Sequence, residues 1–179
     1  PKIEYFTLEY EPPSATGSGP LPWVIKVERF SAAPFHNSAQ ILYRDRAYRR
    51  AAYTQDRWRS TPPDLVSYFL SRDLKHSGLF RAVLPYDTGQ PHSLVLEGSV
   101  DEFLEWDLEQ SWEAVLSFTV TLVLAKEPDI SRRVLFQKTY HGKKPCGQRN
   151  PRGLAEAMSR VMADLSAALI QDVQSALAK

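Results

Sequence analysis

The sequence predicts an α+β domain: a mostly antiparallel sheet that ends in a three-strand meander and is covered on one face by two helices. Apolar residues recur with a period of two between residues 94 and 141, which indicates long half-buried strands. They recur at helical spacing over two other segments, the longer of them at the C-terminus. With 179 residues, 43% of them hydrophobic and 24% charged, the composition is typical of one globular domain spanning residues 1–179.

Two strands are predicted near the N-terminus, on either side of a flexible stretch. "IEYFTLEY" at 3–10 and "WVIKVERF" at 23–30 are rich in the aromatic and β-branched residues that strands favour. Between them, "EPPSATGSGPLP" at 11–22 combines Pro, Gly and Ser and offers little to bury. We therefore predict a flexible connection over 11–22.

An arginine-rich hairpin is predicted next. "QILYR" and "AYRRAAY" have the composition of strands, and Asp45 and Arg46 between them suit a two-residue connection. Six arginines and two acids lie between Arg44 and Arg59, whereas the segment 97–109 holds six acids and neither Lys nor Arg. These oppositely charged segments could form intramolecular pairs or a contact between copies of the chain.

A helix is predicted to begin after Thr61 and to end before Gly78. Thr61 suits the cap, Pro62 the first helical position and Asp64 the first turn. Its apolar residues fall on one broad face, as expected for a helix that packs on a sheet: Leu65, Val66, Phe69, Leu70 and Leu74. A short strand, "LFRAVLP", and a loop over 85–92 are predicted to follow.

The three strands of the meander are predicted from the alternation that comes after this loop. In the first, even-numbered residues from Leu94 to Trp106 are predicted to face the core, and Asp101 and Glu105 to face solvent. The second covers 114–124, and the third is "RRVLFQKTY" at 132–140. Such a meander has one wet face and one dry face that needs a cover.

The C-terminal helix is predicted to supply that cover. It begins at Pro151 with Asn150 as its cap and runs for about seven turns. Its apolar residues recur at spacings of three and four: Leu154, Met158, Val161, Leu165, Leu169, Val173 and Leu177. Such a stripe is typical of a helix that packs on a sheet.

The sequence contains no motif for catalysis, for a cofactor or for a metal. No two of its four histidines have the i, i+4 spacing of ligands on one helix face: His36, His76, His92 and His141. Cys146 is the only cysteine, and nearby Lys143, Lys144 and Arg149 could lower the pKa of its thiol. The alternative is an unreactive cysteine in an exposed polar loop, since no base follows at a recognisable spacing. We expect a protein that is not an enzyme and binds no cofactor or metal.

The arginine-rich hairpin has three interpretations. Arginines interleaved with tyrosines suit single-stranded nucleic acid, but the net charge of +1 and the acidic segment 97–109 argue against a nucleic-acid partner. The second interpretation is a contact surface for a protein partner or a sister copy. In the third, Tyr43 and Trp58 belong to the core and the arginines only solubilise the sheet.

No stretch of the sequence approaches the roughly 18 to 20 apolar residues of a membrane-spanning helix.

Taken in order, these segments resemble the ABC-type transport auxiliary lipoprotein family. The most specific pieces are "YFTL" near the N-terminus, "ILYR" at 41–44, Trp58, the Pro62-Pro63 pair before the first helix and the Ala/Met/Leu-rich last helix. The resemblance covers almost the whole chain. It depends on order and spacing, because none of these pieces is a catalytic signature.

The resemblance implies a non-catalytic protein of the bacterial periplasm. Family members are made with a lipoprotein signal peptide and are acylated on a cysteine, expected here just upstream of Pro1, which anchors them to the cell envelope, in this case to the outer membrane. They accompany ABC transporters with MCE-type substrate-binding proteins, which move lipids or other hydrophobic molecules between envelope membranes. The implied partners are this MCE-type protein, its transporter complex and sister copies in a homo-oligomer.

The role that the resemblance implies is assembly and docking, for which we expect the hairpin to supply the contact surface. The candidate partner-binding residues are Tyr43, Arg44, Arg46, Tyr48, Arg49, Arg50 and Trp58. The alternative function is that of a periplasmic carrier, which would hold a lipid or another hydrophobic ligand in a groove between the sheet and the helices.

Overall fold

The computed structural model describes residues 1–14, 17 and 19–179, which form an α+β fold with three α-helices and a curled, mixed sheet. The nine strands of the described residues are β1 (Glu4–Phe6), β2 (Leu21–Val27), β3 (Ser31–Ala32), β4 (Gln40–Arg44), β5 (Ala51–Trp58), β6 (Phe80–Leu84), β7 (Leu94–Asp107), β8 (Trp112–Leu124) and β9 (Val134–Pro145). The helices are α1 (Pro62–Ser77), α2 (Ile130–Arg133) and α3 (Pro151–Leu177). A short 3-10 helix, Pro34–His36, lies between β3 and β4.

The long strand β7 organises the sheet. Along one side it pairs with β8 in antiparallel register, from Leu94 opposite Leu124 to Asp107 opposite Trp112, and β8 pairs in the same sense with β9. Along its other side it pairs in succession with β2, β3 and β4, which all run parallel to it. The sheet continues beyond β2 into β6 and beyond β4 into β5 and β1.

The prediction of a mostly antiparallel sheet is therefore wrong, because the sheet is mixed. Of the eight strand pairings among the described residues, five are parallel and three are antiparallel. Alternation in a sequence identifies a strand but carries no information about the direction of its neighbours. Parallel neighbours are joined by long connections, such as the one that contains α1, and these are invisible to a local pattern.

Two helices pack on the sheet and on each other. α1 contacts β6 and β7, α3 contacts β8 and β9, and the two helices touch. The apolar stripes predicted for both helices are buried, except that Leu177 near the end of α3 is half-buried.

No helix in the described part of the chain combines the length and the apolarity needed to cross a membrane.

The ends of α1 and the start of α3 lie at the predicted residues, although the side chain of Thr61, the predicted cap of α1, makes no capping hydrogen bond. α1 begins after Thr61 with Pro62 at its first position, and it ends at Gly78, whose φ of 69° is the left-handed conformation that glycine adopts easily. At the start of α3, the Asn150 side-chain oxygen accepts a hydrogen bond of 2.8 Å from the N–H of Gly153. Local chemistry therefore determines these helix ends.

Several boundaries differ from the prediction. β1 is limited to Glu4–Phe6, and β9 starts at Val134 because residues 130–133 form the one-turn helix α2. That turn is capped by Asp129, whose side chain accepts a hydrogen bond of 2.9 Å from the N–H of Ser131. The predicted flexible stretch 11–22 overlaps β2 at its last two residues, and its residues 15, 16 and 18 lie outside the described part of the chain.

A buried carboxylate ties the segment after β1 to both long helices. Asp73 of α1 is fully buried and accepts hydrogen bonds of 2.6 Å from the Tyr10 hydroxyl and of 2.6 Å from the Ser166 hydroxyl of α3. Arg72 donates to the other carboxylate oxygen at 2.9 Å and to the backbone oxygen of Tyr10 at 3.0 Å. Each partner helps to offset the cost of removing this carboxylate from water.

We expect Tyr10→Phe to lower the free energy of unfolding by about 1.5–3 kcal/mol, the range for a hydrogen bond to a charged group. The ring would still pack on Phe69, from which its centre is 5.3 Å away, so the loss would reflect the hydroxyl. Urea unfolding followed by fluorescence measures this difference. Tyr48→Phe is the matched control, because the Tyr48 side chain is fully exposed. Equal stability of Tyr10→Phe and the parent would contradict the assigned role of the hydroxyl.

Candidate protein contact surface

The predicted hairpin is present, with a longer connection than expected. β4 and β5 pair in antiparallel register, with Leu42 opposite Ala52 and Tyr43 opposite Ala51. The connection is therefore the six residues 45–50, here called the hairpin tip, and the predicted two-residue turn at Asp45 and Arg46 is wrong. The longer loop moves Tyr48, Arg49 and Arg50 out of the predicted second strand.

The hairpin tip presents one tyrosine and three arginines to solvent. Tyr48 is fully exposed, and its φ of 62° lies in the left-handed region that few residues other than glycine adopt. Arg46, Arg49 and Arg50 are also exposed, and Arg49 forms an ion pair with Asp45. Tyrosine and arginine are among the residue types most enriched at the energetic centres of protein interfaces.

β4 fixes the tip to the acidic strand β7. The parallel pairing sets Tyr43 opposite Glu105 and Arg44 opposite Trp106. The Arg44 guanidinium carbon lies 4.7 Å from the centre of the Trp106 ring, and its Nε is buried without a hydrogen-bond partner among the described residues. This cation–π contact holds Arg44 half-buried on the sheet, so Arg44 supports the tip instead of extending from it.

Trp58 is a core residue, and its predicted place on the contact surface is wrong. Only 1% of its surface is exposed. Its ring packs edge-on against Phe103 of β7, with the two ring centres 5.1 Å apart. Trp58 lies at the last position of β5, whereas the arginines of the hairpin tip lie at the opposite end of this strand.

Glu105 is also buried, against the prediction that it faces solvent. Its exposed fraction is 0%. The register between β7 and β8 shifts between Val100 and Glu102, which marks a β-bulge. A bulge adds one residue to one strand and changes the face on which the residues beyond it lie, so the odd-numbered Phe103 and Glu105 are buried, together with Leu104. Asp101, the extra residue at the shift, is exposed as predicted.

Glu105 lies in a small polar cluster beneath the hairpin. It accepts a hydrogen bond of 2.7 Å from the hydroxyl of Tyr53, whose ring centre is 5.1 Å from that of Tyr43. Burial raises the pKa of Glu105 to about 8, and the neighbouring Asp107 carboxyl adds to this effect. One oxygen each of Glu105 and Asp107 is buried without a hydrogen-bond partner in the described residues, so a proton on Glu105 would supply a missing donor.

The only cysteine is not activated by its basic neighbours. Cys146 is half-buried and packs against the core. Burial raises the pKa of its thiol to about 12, and the charge of Glu105 contributes in the same direction. The hypothesis that nearby lysines and arginines lower this pKa is therefore wrong. The alternative of an unreactive cysteine agrees with the raised pKa, except that the side chain is half-buried and not exposed. Within the described residues, no group of three or more His, Cys, Asp or Glu side chains could hold a metal ion.

The predicted partner-binding residues therefore differ in their burial. Arg46, Tyr48, Arg49 and Arg50 are exposed at the tip, Tyr43 and Arg44 are half-buried beneath it, and Trp58 is in the core. The sequence analysis missed the supporting residues that β5 and β7 contribute: Tyr53, Glu105, Trp106 and Asp107. A parallel pairing brings β4 to β7 across about 60 residues of sequence, and no local signal indicates it.

Comparisons with known proteins agree with this fold. A family model described as "ABC-type transport auxiliary lipoprotein component" matches residues 6–170. A crystal structure of a Xanthomonas campestris protein has a TM-score of 0.78 and 18% identity, covering 97% of this chain and 99% of that one. A hypothetical protein from Chlamydia trachomatis has a TM-score of 0.57 and 11% identity, covering 89% of this chain and 100% of that one. A comparison with curated proteins gives no match.

The structural similarities, at these low identities, support the fold alone. The family model carries the assignment, because it matches nearly the whole chain, and it agrees with the resemblance inferred from the sequence. Its description is that of a lipoprotein and an auxiliary component of ABC-type transport, which suggests a location in the cell envelope, and the family is not a known enzyme family. The chain belongs to the ABC-type transport auxiliary lipoprotein family.

Proposed function

We propose that the chain is a non-catalytic, periplasmic component of an MCE-type ABC transport system, anchored to the outer membrane by an acylated cysteine N-terminal to Pro1. Its role is docking to the MCE-type substrate-binding protein. Tyr48, Arg46, Arg49 and Arg50 at the hairpin tip make the contact.

The observation that carries this proposal is the exposure of Tyr48 in a left-handed conformation among three arginines. Such a backbone conformation costs about 1–3 kcal/mol, and a fully exposed ring gains nothing from the fold of its own chain. Both features are accounted for if the tyrosine enters a pocket on a partner and the arginines surround it. The pairing of β4 with β7 supplies a firm base, so little order has to be gained on binding.

The charge of the tip specifies the chemistry of the partner. Three arginines stand against one acid, Asp45, which is already paired with Arg49. We therefore expect an acidic patch around the pocket on the MCE-type protein. Charges at the rim of an interface chiefly accelerate association, and salt screens this effect.

We expect Arg46→Ser, Arg49→Ser and Arg50→Ser together to weaken capture of the MCE-type protein at least about tenfold and to remove most of its salt dependence. Tyr48→Ala alone is expected to weaken capture about thirtyfold, as truncation of an interface hot spot does. Binding of the purified proteins at low and high salt, for example by biolayer interferometry, measures both effects.

A matched control separates this contact from a general effect of charge. Arg81, Arg132 and Arg133 are exposed but lie on β6 and α2, away from the tip. Their triple replacement by Ser changes the net charge by the same amount and should leave capture unchanged. Equal affinities for both triple variants and the parent, or an equal loss in both, would contradict docking through the tip.

A sister copy of the chain is the alternative occupant of the same surface. Light scattering of the purified domain, alone and mixed with the MCE-type protein, separates the two partners. A homo-oligomer that dissociates when the three tip arginines are replaced would assign the tip to contacts between copies. A monomer that forms a salt-sensitive complex with the MCE-type protein would assign it to docking.

The lipid-carrier alternative has less support. It needs an enclosed apolar groove between the sheet and the helices. In the described part of the chain, buried side chains of both layers fill the centre of this interface, among them Leu70, Leu116, Met158 and Leu169. Native mass spectrometry that detected a bound lipid would favour the carrier function over docking alone.

A further inference from the structure

A groove lies at the carboxyl ends of two neighbouring parallel strands. β2 ends at Val27 and β6 at Leu84, the two strands pair in parallel, and α1 forms the opposite wall. The groove has a volume of about 440 Å³, within the range of small-molecule sites. Crevices at the carboxyl ends of parallel strands are frequent binding sites, because the loops that leave them can carry ligand-binding side chains. We call it the tyrosine groove.

Two exposed tyrosines stand at its rim. Tyr68 of α1 is 65% exposed, and Tyr86, two residues after β6, is 50% exposed. Tyr68 makes one edge-on contact with Phe69, at 5.1 Å between ring centres. Large parts of both rings are therefore free to pack against a ligand, and an aromatic face is a good platform for an apolar, flat surface.

Planar polar groups line the same groove as the two rings. Arg29 donates two hydrogen bonds to Asp64, of 2.7 and 2.9 Å, and its guanidinium carbon is 5.9 Å from the centre of the Tyr86 ring. The hydroxyls of Ser60 and Ser71 also line the groove. The guanidinium has five N–H donors and uses two of them on Asp64, so it can still donate to a ligand.

The charges of the groove cancel in pairs. Arg29 is matched by Asp64, and Glu28 is matched by Lys26 at 2.5 Å. A site for an anionic headgroup or a nucleotide needs an excess of positive charge, and a site for a cation needs an excess of negative charge. A ligand that is complementary to this groove is therefore neutral, has several hydroxyl groups and offers at least one apolar face.

We propose that the tyrosine groove binds a neutral saccharide, with a pyranose ring stacked on Tyr68 or Tyr86 and its hydroxyls hydrogen-bonded by Arg29 and Asp64. A pyranose ring has C–H groups on its faces and hydroxyls around its edge, which fits a groove lined by both aromatic rings and planar polar groups. The ring could belong to a soluble glycan or to the headgroup of a glycolipid. This proposal is independent of docking, because the eight residues of β5, about 25 Å of strand, separate the groove from the hairpin tip.

The test is a titration of the whole chain with tetra-N-acetylchitotetraose, cellotetraose and maltotetraose, followed by calorimetry and by NMR of the backbone amides. We expect saturable binding of at least one of them, with shifts confined to residues around the groove and little dependence on salt. Vesicles of phosphatidylcholine with and without a digalactosyl lipid distinguish the two sources. Binding to these vesicles that soluble saccharide does not reproduce would assign the glycolipid.

Variants identify the groove as the site. Tyr68→Ala with Tyr86→Ala should weaken binding at least about tenfold, and Tyr86→Phe should retain it because the ring remains. Tyr5→Ala is the matched control, since Tyr5 is 54% exposed beneath an arginine, Arg59, but lies on β1. Tyr86→Ala alone, in a loop, serves as a second test if the double variant is destabilised.

Three results would overturn the proposal. They are the absence of saturable binding to every saccharide and glycolipid probe, binding that the groove variants leave intact, and binding that salt abolishes. The last would indicate a charged peptide as the occupant. None of these results bears on capture of the MCE-type protein, which is measured with the tip variants.

Discussion

Trp58→Ala is expected to lower the free energy of unfolding by about 3–5 kcal/mol, the usual cost of truncating a buried aromatic residue to alanine. Trp58 is almost completely buried and packs on Phe103, so the truncation would leave a cavity between β5, β7 and the helices. Because a small domain has only about 5–15 kcal/mol of stability, the variant should be close to unfolding at 37 °C. Urea unfolding followed by circular dichroism measures the loss without relying on tryptophan fluorescence.

Trp58→Phe provides the control for this prediction. The indole Nε1 has no hydrogen-bond partner among the described residues, so a phenylalanine loses packing volume but no hydrogen bond. We expect a loss of about 1–2 kcal/mol, smaller than that of the alanine variant. A Trp58→Ala variant with the stability of the parent but without partner capture would instead support the sequence-based assignment of Trp58 to the contact surface.

The elements that the sequence predicts correctly are those specified by neighbouring residues. Asn150 with Pro151, Thr61 with Pro62, and Gly78 act within one helical turn, and they mark helix ends in the structure as they do in the sequence. The buried helix stripes follow from the same local periodicity. The exposed arginines of the hairpin tip also follow, since charge alone predicts that they stay in water.

The features that the sequence does not predict depend on residues far apart in the chain. The bulge between Val100 and Glu102 reverses the alternation of β7, and the direction of β4 beside β7 decides what lies next to Glu105. Neither is visible in a single strand. For the same reason, Arg44 was expected on the contact surface, although the ring of Trp106 lies beneath it.

Glu105 is expected to make a contribution to stability that falls as the pH rises from about 4.5 to about 8. In the unfolded chain this carboxyl ionises near 4.5, whereas burial in the folded chain raises its pKa to about 8. Between these values the folded state binds more protons than the unfolded state, so stability decreases as pH increases.

Glu105→Gln should remove this dependence, since an amide neither ionises nor differs much in size. The variant should be more stable than the parent above about pH 8 and close to it below about pH 4.5. Glu97→Gln is the matched control, because Glu97 lies on the same strand but is exposed. Urea unfolding over a pH series measures the difference, and parallel curves for Glu105→Gln and the parent would contradict the prediction.

His36 is expected to lower the stability of the chain at acidic pH. Burial lowers the pKa of this histidine from 6.5 to about 4, and the positive charge of Arg50 contributes to the shift. Between these values the unfolded state binds more protons than the folded state, so stability is lost as the pH falls from 6.5 to about 4. Between about pH 4.5 and 6.5 the two contributions oppose each other, so the two groups together predict a plateau of stability there and a loss on either side of it. His36→Gln should remove only the decline on the acidic side.

The groups that face Glu105 extend the prediction to docking. Tyr53 and Tyr43 contact it from the two strands of the hairpin, Asp107 follows it on β7, and Cys146 lies nearby after β9. Burial also raises the pKa values of Asp107 and Tyr53, so none of these groups offers a positive charge to an ionised Glu105. Ionisation at alkaline pH should therefore loosen the pairing of β4 with β7 that holds the hairpin tip.

We expect capture of the MCE-type protein to decline above about pH 8 in the parent and much less in Glu105→Gln. An equal decline in both proteins would show that binding by the tip does not depend on the ionisation of Glu105.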